Sequence, residues 1–492
     1  MGWLETLTLL WVALFGLWMY RARSTRPSAR QRARWRAAVR VAGLTAVEES
    51  KDDLAGRAGS LVVWLSAFAS DESRGTRITV SGPGRPRGLT IRPEDPRSRA
   101  RGGAREVEVG DDAFDAAAWV EGPPALAHAL LDADTRRSLQ AFLGGRLEQP
   151  GHSVFWPSGR VENGVLGIDV PESAPWWQTF DAEGDFLGSV LEASIQLARR
   201  LSAPADVARR IAENMKGEPV SRVRLLSLGT LVREYPDHPA TREALLAARE
   251  DPDAEVRLRA GIALGPEGRD VLRAVAAGEG ATDETTERAV AALEPDLTVD
   301  EAIGLLRGAL RTRRVGTAQA CMVALGRRGG TQAIALLARV LAVETGELGW
   351  AAARALAMTR HPAAEEPLLR ALAAGTRDLR LAAAAALRHV GTAAAVGPLR
   401  EAEEGDAEMR RTARQAIAEI QSRLTGAAPG QLSLAGGESG QLSLAEGEAG
   451  RLSLANEGRD GGSFATGQTG VAQDDEAGPS GPGPTGVPQV RE

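Results

Sequence analysis

DPDAEVRLRAGIALG, residues 251–265, is the stretch on which the fold turns. An aspartate-bearing turn leads into an arginine, and small apolar residues then recur at Val256, Ala260, Ala263 and Leu264, the spacing of one helical face. The same phrase returns as TGELGWAAARALAM (345–358), TRDLRLAAAAALRHVG (376–391) and DAEMRRTARQAIAEI (406–420). Its equivalent positions Leu348, Leu379 and Met409 lie 31 and 30 residues apart. Weaker copies are TDETTERAVAALE (282–294) and RRVGTAQACMVALGRRG (313–329), with a longer one upstream from Pro219. Between copies a Gly or Pro turn, such as RGGTQA or RHPAAEE, introduces a second helix rich in Leu and Ala. One such hairpin cannot bury its apolar face alone, so the period predicts a stack of hairpins, an α-helical solenoid over residues 205–424. Arg257, Arg354, Arg380 and Arg410 are placed to reach the carboxylate or carbonyls of a preceding turn.

The pattern D-x-x-x-E/V-R-x-x-A-x-x-A-L-G in these copies resembles HEAT-like repeats, particularly the short bacterial type described from phycobilisome-lyase-like proteins. The resemblance implies a binding scaffold with protein partners on the solenoid face. Lyase chemistry is not carried over, because the single cysteine, Cys321, lies in an alanine-rich helix and is expected in the core.

The first twenty residues, MGWLETLTLLWVALFGLWMY, carry one acid, Glu5, and no other charge. From Trp3 to Tyr20 a helix would be about 27 Å long, enough to approach a bilayer span. Eight arginines follow between Arg21 and Arg40, the reverse of a signal peptide's order. The expectation is one transmembrane helix over 1–20, a basic juxtamembrane linker over 21–59, and a single-pass protein of the inner membrane with its body in the cytoplasm.

Residues 60–204 read as a small α+β domain. Alternation in REVEVG around Val107 and Val109, and extended stretches near Ile78, Leu89 and Val161–Val170, indicate short strands, while PPALAHALLDADTRRSLQAF indicates two helices. The run GDDAFDAAAWVEG (110–122) invites an acidic site at Asp111, Asp112 and Asp115, but its spacing lacks a calcium loop's closing glutamate. It is read as a turn that fixes Phe114 and Trp119 in the core. Residues 77–170 also resemble poorly characterised bacterial membrane-anchored proteins, which implies a fold and no activity. His128 is read as a packing residue and His152 as a loop residue. His238, His361 and His389 fall in or near turns of separate repeats.

Composition excludes other classes. One cysteine rules out an internal disulfide framework. The formal charge is −6, and residues 426–492 hold nine acids against three arginines, so the remainder is near neutral and no nucleic-acid partner is expected. No GxSxG elbow, GxGxxG fingerprint, Walker loop or HExxH helix occurs. Catalytic, cofactor-binding and metal residues are therefore expected to be none, with no cofactor, and the chain is read as no enzyme. The alternatives are an enzyme or ligand sensor using Asp111, Asp112, Asp115 and His128, or a structural component of an envelope assembly.

Residues 425–492 are rich in Gly, Pro, Ser, Gln and acid, and are expected to be a disordered tail. Within them LSLA recurs every ten residues, at 432–435, 442–445 and 452–455, as three apolar dabs suited to multivalent docking or left by repeat expansion.

Overall fold

The computed structural model describes residues 26–69, 74–94, 106–143, 146–149, 152–155, 157–172, 185–423, 432–434 and 442–444. Two units separate by internal contact, residues 1–423 and residues 424–492.

Among the described residues the first unit opens with helix α1 (Ala29–Val41), capped by the Ser28 hydroxyl, and strands β1 (Thr45–Glu49) and β2 (Asp53–Ala58). These join β3 (Leu61–Ala69), β4 (Arg74–Ser81), β5 (Thr90–Pro93), β6 (Ala118–Glu121), β9 (Ser158–Glu162) and β10 (Val165–Pro171). Strands β7 (Arg146–Gln149) and β8 (His152–Phe155) pair separately. The main sheet is antiparallel throughout, in the order β1-β2-β3-β4-β10-β9-β5-β6. Alternation along β3 sends Leu61, Val63 and Leu65 inward, where they join Ile78, Val80, Leu166, Ile168 and Val170 in one core. Helix α1 and a later helix, Asp185–Arg200, pack on each other and complete that core with Trp35, Leu187, Leu191 and Ile195. Trp35 is 1% exposed and its indole N–H donates to Thr76 Oγ1 at 2.8 Å.

This corrects the reading of the arginine flank. The helix presents Arg36 outward to Glu49, at 2.8 Å, while its opposite face is buried, so Ala29–Val41 belongs to the sheet domain and is no bare linker. The expected anchor over 1–20 lies outside the described residues, and among the described residues no helix is long and apolar enough to cross a membrane. Membrane anchoring, membrane contact and inner-membrane placement are therefore withdrawn.

From Val207 to Arg423 the chain forms helix pairs. The first helices are Val207–Gly217, Pro239–Ala248, Arg269–Ala276, Val299–Arg311, Thr331–Val343, Glu365–Ala374 and Val396–Ala402. Their second helices are Ser221–Glu234, Ala254–Leu264, Asp283–Leu293, Val315–Arg328, Glu347–Thr359, Arg377–Val390 and Ala407–Arg423. Side chains from the turns start them. Asp253 accepts from the backbone N–H of Glu255 and Val256, Thr376 from Leu379, and Thr298 forms a reciprocal capping box with Glu301. Second helices pack closely on one another along the stack, whereas neighbouring first helices touch less, so the second-helix layer is the inner one. Small residues permit the close approach. A Cβ built at Gly326 would stand 2.7 Å from the Ala355 carbonyl oxygen and 3.0 Å from its Cα.

In the second unit, β11 (Leu432–Leu434) pairs antiparallel with β12 (Leu442–Leu444), Ser433 facing Ser443. The LSL cores of two copies thus form a ladder, and the rest of the expected disordered tail lies outside the described residues. A ten-residue repeat leaves enough chain between copies to reverse direction. The third copy lies outside the described residues.

Two glycines of the stack should respond oppositely to alanine. Gly326→Ala forces the Ala355 backbone to yield and should destabilise by about 1–3 kcal/mol. Gly304→Ala, on an open helix face, meets nothing within 4 Å and should stabilise by about 0.5–1 kcal/mol. Urea midpoints of the full chain check both, and equal shifts in one direction would refute the packing argument.

Candidate functional site

The acidic run singled out by sequence does not gather into a pocket. Asp111 caps the helix Asp112–Asp115 by accepting from Phe114 N–H at 3.2 Å and holds Arg136 Nε at 2.8 Å. Asp115 accepts from Val109 and Gly110 N–H at 3.1 and 2.8 Å, and burial pushes its carboxyl above the ordinary aspartate range. Asp112 faces outward to Arg222 of the first repeat at 3.0 Å. Arg136 is 2% exposed. It makes paired 2.9 Å bonds to both oxygens of Glu218, at the turn into the first repeat's second helix, and a third bond to the Leu131 carbonyl. These residues join the sheet domain to the helix stack. They supply positioning, and the enzyme or sensor built on Asp111, Asp112, Asp115 and His128 is withdrawn with them.

His128 is buried at the same junction, its Nδ1 3.5 Å from Ser227 Oγ. Burial first, then the neighbouring Arg233 and Arg136 guanidinium groups, pull its pKa down to about 4. His238 and His361 each accept a backbone N–H, from Ala240 and Ala363, as turn caps. His152 lies on β8. Among the described residues no cluster of three or more His, Cys, Asp or Glu is arranged for a metal ion. Cys321 is fully buried in the repeat core, and burial pushes its thiol up to about 12.

The site that sequence reading missed begins with a broken pattern. Arg257 donates to the carbonyls of Asp251, Pro252 and Glu279, Arg380 to Leu372, and Arg410 to Glu403 and Gly405. In the copy that starts at Thr345 the equivalent position is Gly349, whose absent side chain admits the Glu344 carbonyl. Arg354, expected to join that ladder, sits five residues later and is turned outward. It lines a groove of about 710 Å³ between the second helices Glu347–Thr359 and Arg377–Val390, with Glu408 of the next second helix at its rim.

One wall carries Trp350, Arg354 and Met358, one turn apart on Glu347–Thr359. The floor is Leu381, Ala382, Ala385 and Ala386, whose small side chains leave the volume open. Trp350 is 40% exposed. Arg377 stands at one end and is held by Asp406, Asp378 and Glu408 at 2.6, 3.3 and 3.1 Å. Arg360, Arg388 and His389 stand at the other. Arg354, Arg360 and Arg388 form no ion pair among the described residues. His389 is kept below its ordinary pKa by partial burial, then by Arg388, Arg423 and Arg360. A comparable cleft of about 700 Å³ separates first helices Thr331–Val343 and Glu365–Ala374, but it has no aromatic wall.

No protein-family model matches the chain, and no curated protein matches it. Among solved structures, human deoxyhypusine hydroxylase in complex with glycerol is 23% identical over 47% of this chain and 91% of its own, with a TM-score of 0.24. The complex of CpcE and CpcF of phycocyanin lyase from Nostoc sp. is 21% identical over 44% of this chain and 96% of its own, with a TM-score of 0.25. The likeness is weak and partial. It corrects the identification with a membrane-anchored phycobilisome-lyase-like repeat protein to a distant similarity to HEAT-like repeat enzymes. Both names are those of enzymes, which is a property of those proteins; the expectation that this chain is no enzyme is withdrawn, and no activity is assigned in its place.

The junction carries a pH signature. Unfolded histidine takes up its proton near pH 6.5, whereas folded His128 does so only near 4. The contribution is therefore complete above about pH 6.5 and is lost as pH falls toward 4, by about 3 kcal/mol. Urea midpoints of the wild type should drop across that window more steeply than those of His128→Gln, and superimposable pH profiles would refute the assignment.

Proposed function

We propose that the helix stack binds an extended segment of another polypeptide in the groove at Trp350. The observation that carries this reading is a tryptophan left exposed over an alanine floor, in a region where every other large aromatic is scarce: it is the single Trp after residue 177. A half-exposed Trp beside Met358 and unpaired arginines has the composition of interface hot spots. The groove runs between Glu347–Thr359 and Arg377–Val390, from Arg377 and Glu408 at one end to Arg360 and His389 at the other, which suits a strand-like ligand better than a compact one. Helical stacks present such surfaces because each repeat adds one more strip to the same layer.

The test uses selection from a random twelve-residue peptide library on the full chain, with Ala385→Trp, which fills the floor, as the counter-selection. Peptides enriched on the wild type should bind it and lose about tenfold to hundredfold in affinity on Trp350→Ala. Circular dichroism should show both variants folded, since neither position is a core residue. Peptides that bind the wild type and both variants alike would refute the site.

A further inference from the structure

We infer that the bound segment is acidic, with an apolar side chain seated against Trp350 and carboxylates displaced along the groove toward Arg360 and Arg388. This rests on the binding reading above and adds the chemistry of the partner.

The groove is polarised along its length. Consecutive second helices run in the same direction, so the starts of Glu347–Thr359 and Arg377–Val390 lie together and so do their ends. At the starting end Arg377 is saturated by Asp378, Asp406 and Glu408, leaving that end with more carboxylates than cations. At the finishing end Arg360 and Arg388 form no ion pair among the described residues, Arg423 also faces His389 there, the one carboxylate acting on His389 is Glu419, and Arg354 lies between. A uniformly charged polyanion such as a nucleic-acid strand would meet the three carboxylates at one end. A peptide with its charge confined to one half avoids them. Ten residues of helix separate Trp350 from Arg360, about 15 Å, which an extended peptide covers in about four to five residues.

Arg360 also has an unusual backbone. It terminates Glu347–Thr359 in the left-handed conformation, with φ 49° and ψ 27°. Glycine occupies that position without strain, whereas an arginine pays for it. The equivalent turn after Val315–Arg328 does use glycine, Gly329, with φ 69°. A costly residue is thus kept at the rim of this groove, as Arg313, with φ 56°, is kept at a turn outside the groove's lining.

The experiment measures fluorescence anisotropy of labelled twelve-residue peptides on the full chain. One peptide carries Leu or Phe followed at an offset of four to five residues by three Glu. A second has Gln for each Glu, a third has Lys, and a single-stranded oligouridylate of matched length serves as polyanion. The acidic peptide should bind about tenfold or more tighter than the Gln peptide, with affinity falling as salt rises. Arg354→Gln, Arg360→Gln and Arg388→Gln combined should remove that difference and leave the Gln peptide unchanged. Arg360→Gly should weaken the acidic peptide while leaving the thermal midpoint unchanged or raised, which separates a charge role from a folding role. Equal binding of the Glu and Gln peptides, both lost on Trp350→Ala, would overturn the acidic partner and keep the groove. Tighter binding of the oligouridylate or the Lys peptide would also overturn it. Failure of every peptide, with Trp350→Ala without effect, would remove the binding reading itself.

Discussion

A buried guanidinium fixes the junction of the first unit, beside the apolar cluster in which Ala125 and Ala129 pack with Ile211 and Leu228. Arg136 leaves water almost completely, and its N–H groups are spent on Glu218, Asp111 and the Leu131 carbonyl. Taking a charge out of water is costly, and a buried pair offsets that cost only when its geometry and remaining hydrogen bonds are complete. Removing either partner would strand the other. The pair therefore specifies one arrangement of sheet domain against helix stack more than it adds stability. Arg224 extends the device by one repeat, binding the Glu218 and Pro219 carbonyls and both oxygens of Asp251.

Beyond that junction the stack propagates by repetition. Several turns cap their own helices, as at Asp253, Thr282, Thr298 and Thr376, and each ladder arginine closes carbonyls left open at a helix end. Alanine and glycine in the second helices let that layer close up, while the first helices remain farther apart. The same small residues create the groove: where Ala382, Ala385 and Ala386 form a floor, one large side chain beside them, Trp350, leaves a space instead of filling it.

Much of this architecture is legible in the residues. The 30–31-residue period carries the helix pairs because every copy must bury the same face. Strand alternation and turn chemistry carry part of the sheet. What escaped was of two kinds. Residues 21–59 read as a basic linker because eight arginines fall between Arg21 and Arg40, yet a helix needs only Trp35, Ala38 and Val39 on one side to enter a core. The LSLA copies read as isolated apolar dabs because strand pairing depends on a partner ten residues away, not on any property of one copy. For the candidate groove a signal was present, in Gly349 replacing the ladder arginine and a lone Trp following it, but its meaning depended on which way the helix faced.

Sequence by itself determined the repeat, the caps and the residue types available, because periodicity and hydrogen-bonding capacity are local properties of a chain. It also placed Asp111, Asp112, Asp115 and His128 in one stretch without saying what they touch. Tertiary structure alone decided that these groups form a junction and that Trp350, Arg360 and Arg388 share a surface. Contacts between residues many positions apart depend on how helices stack, and a small change in the spacing of one layer redirects every side chain that the layer presents.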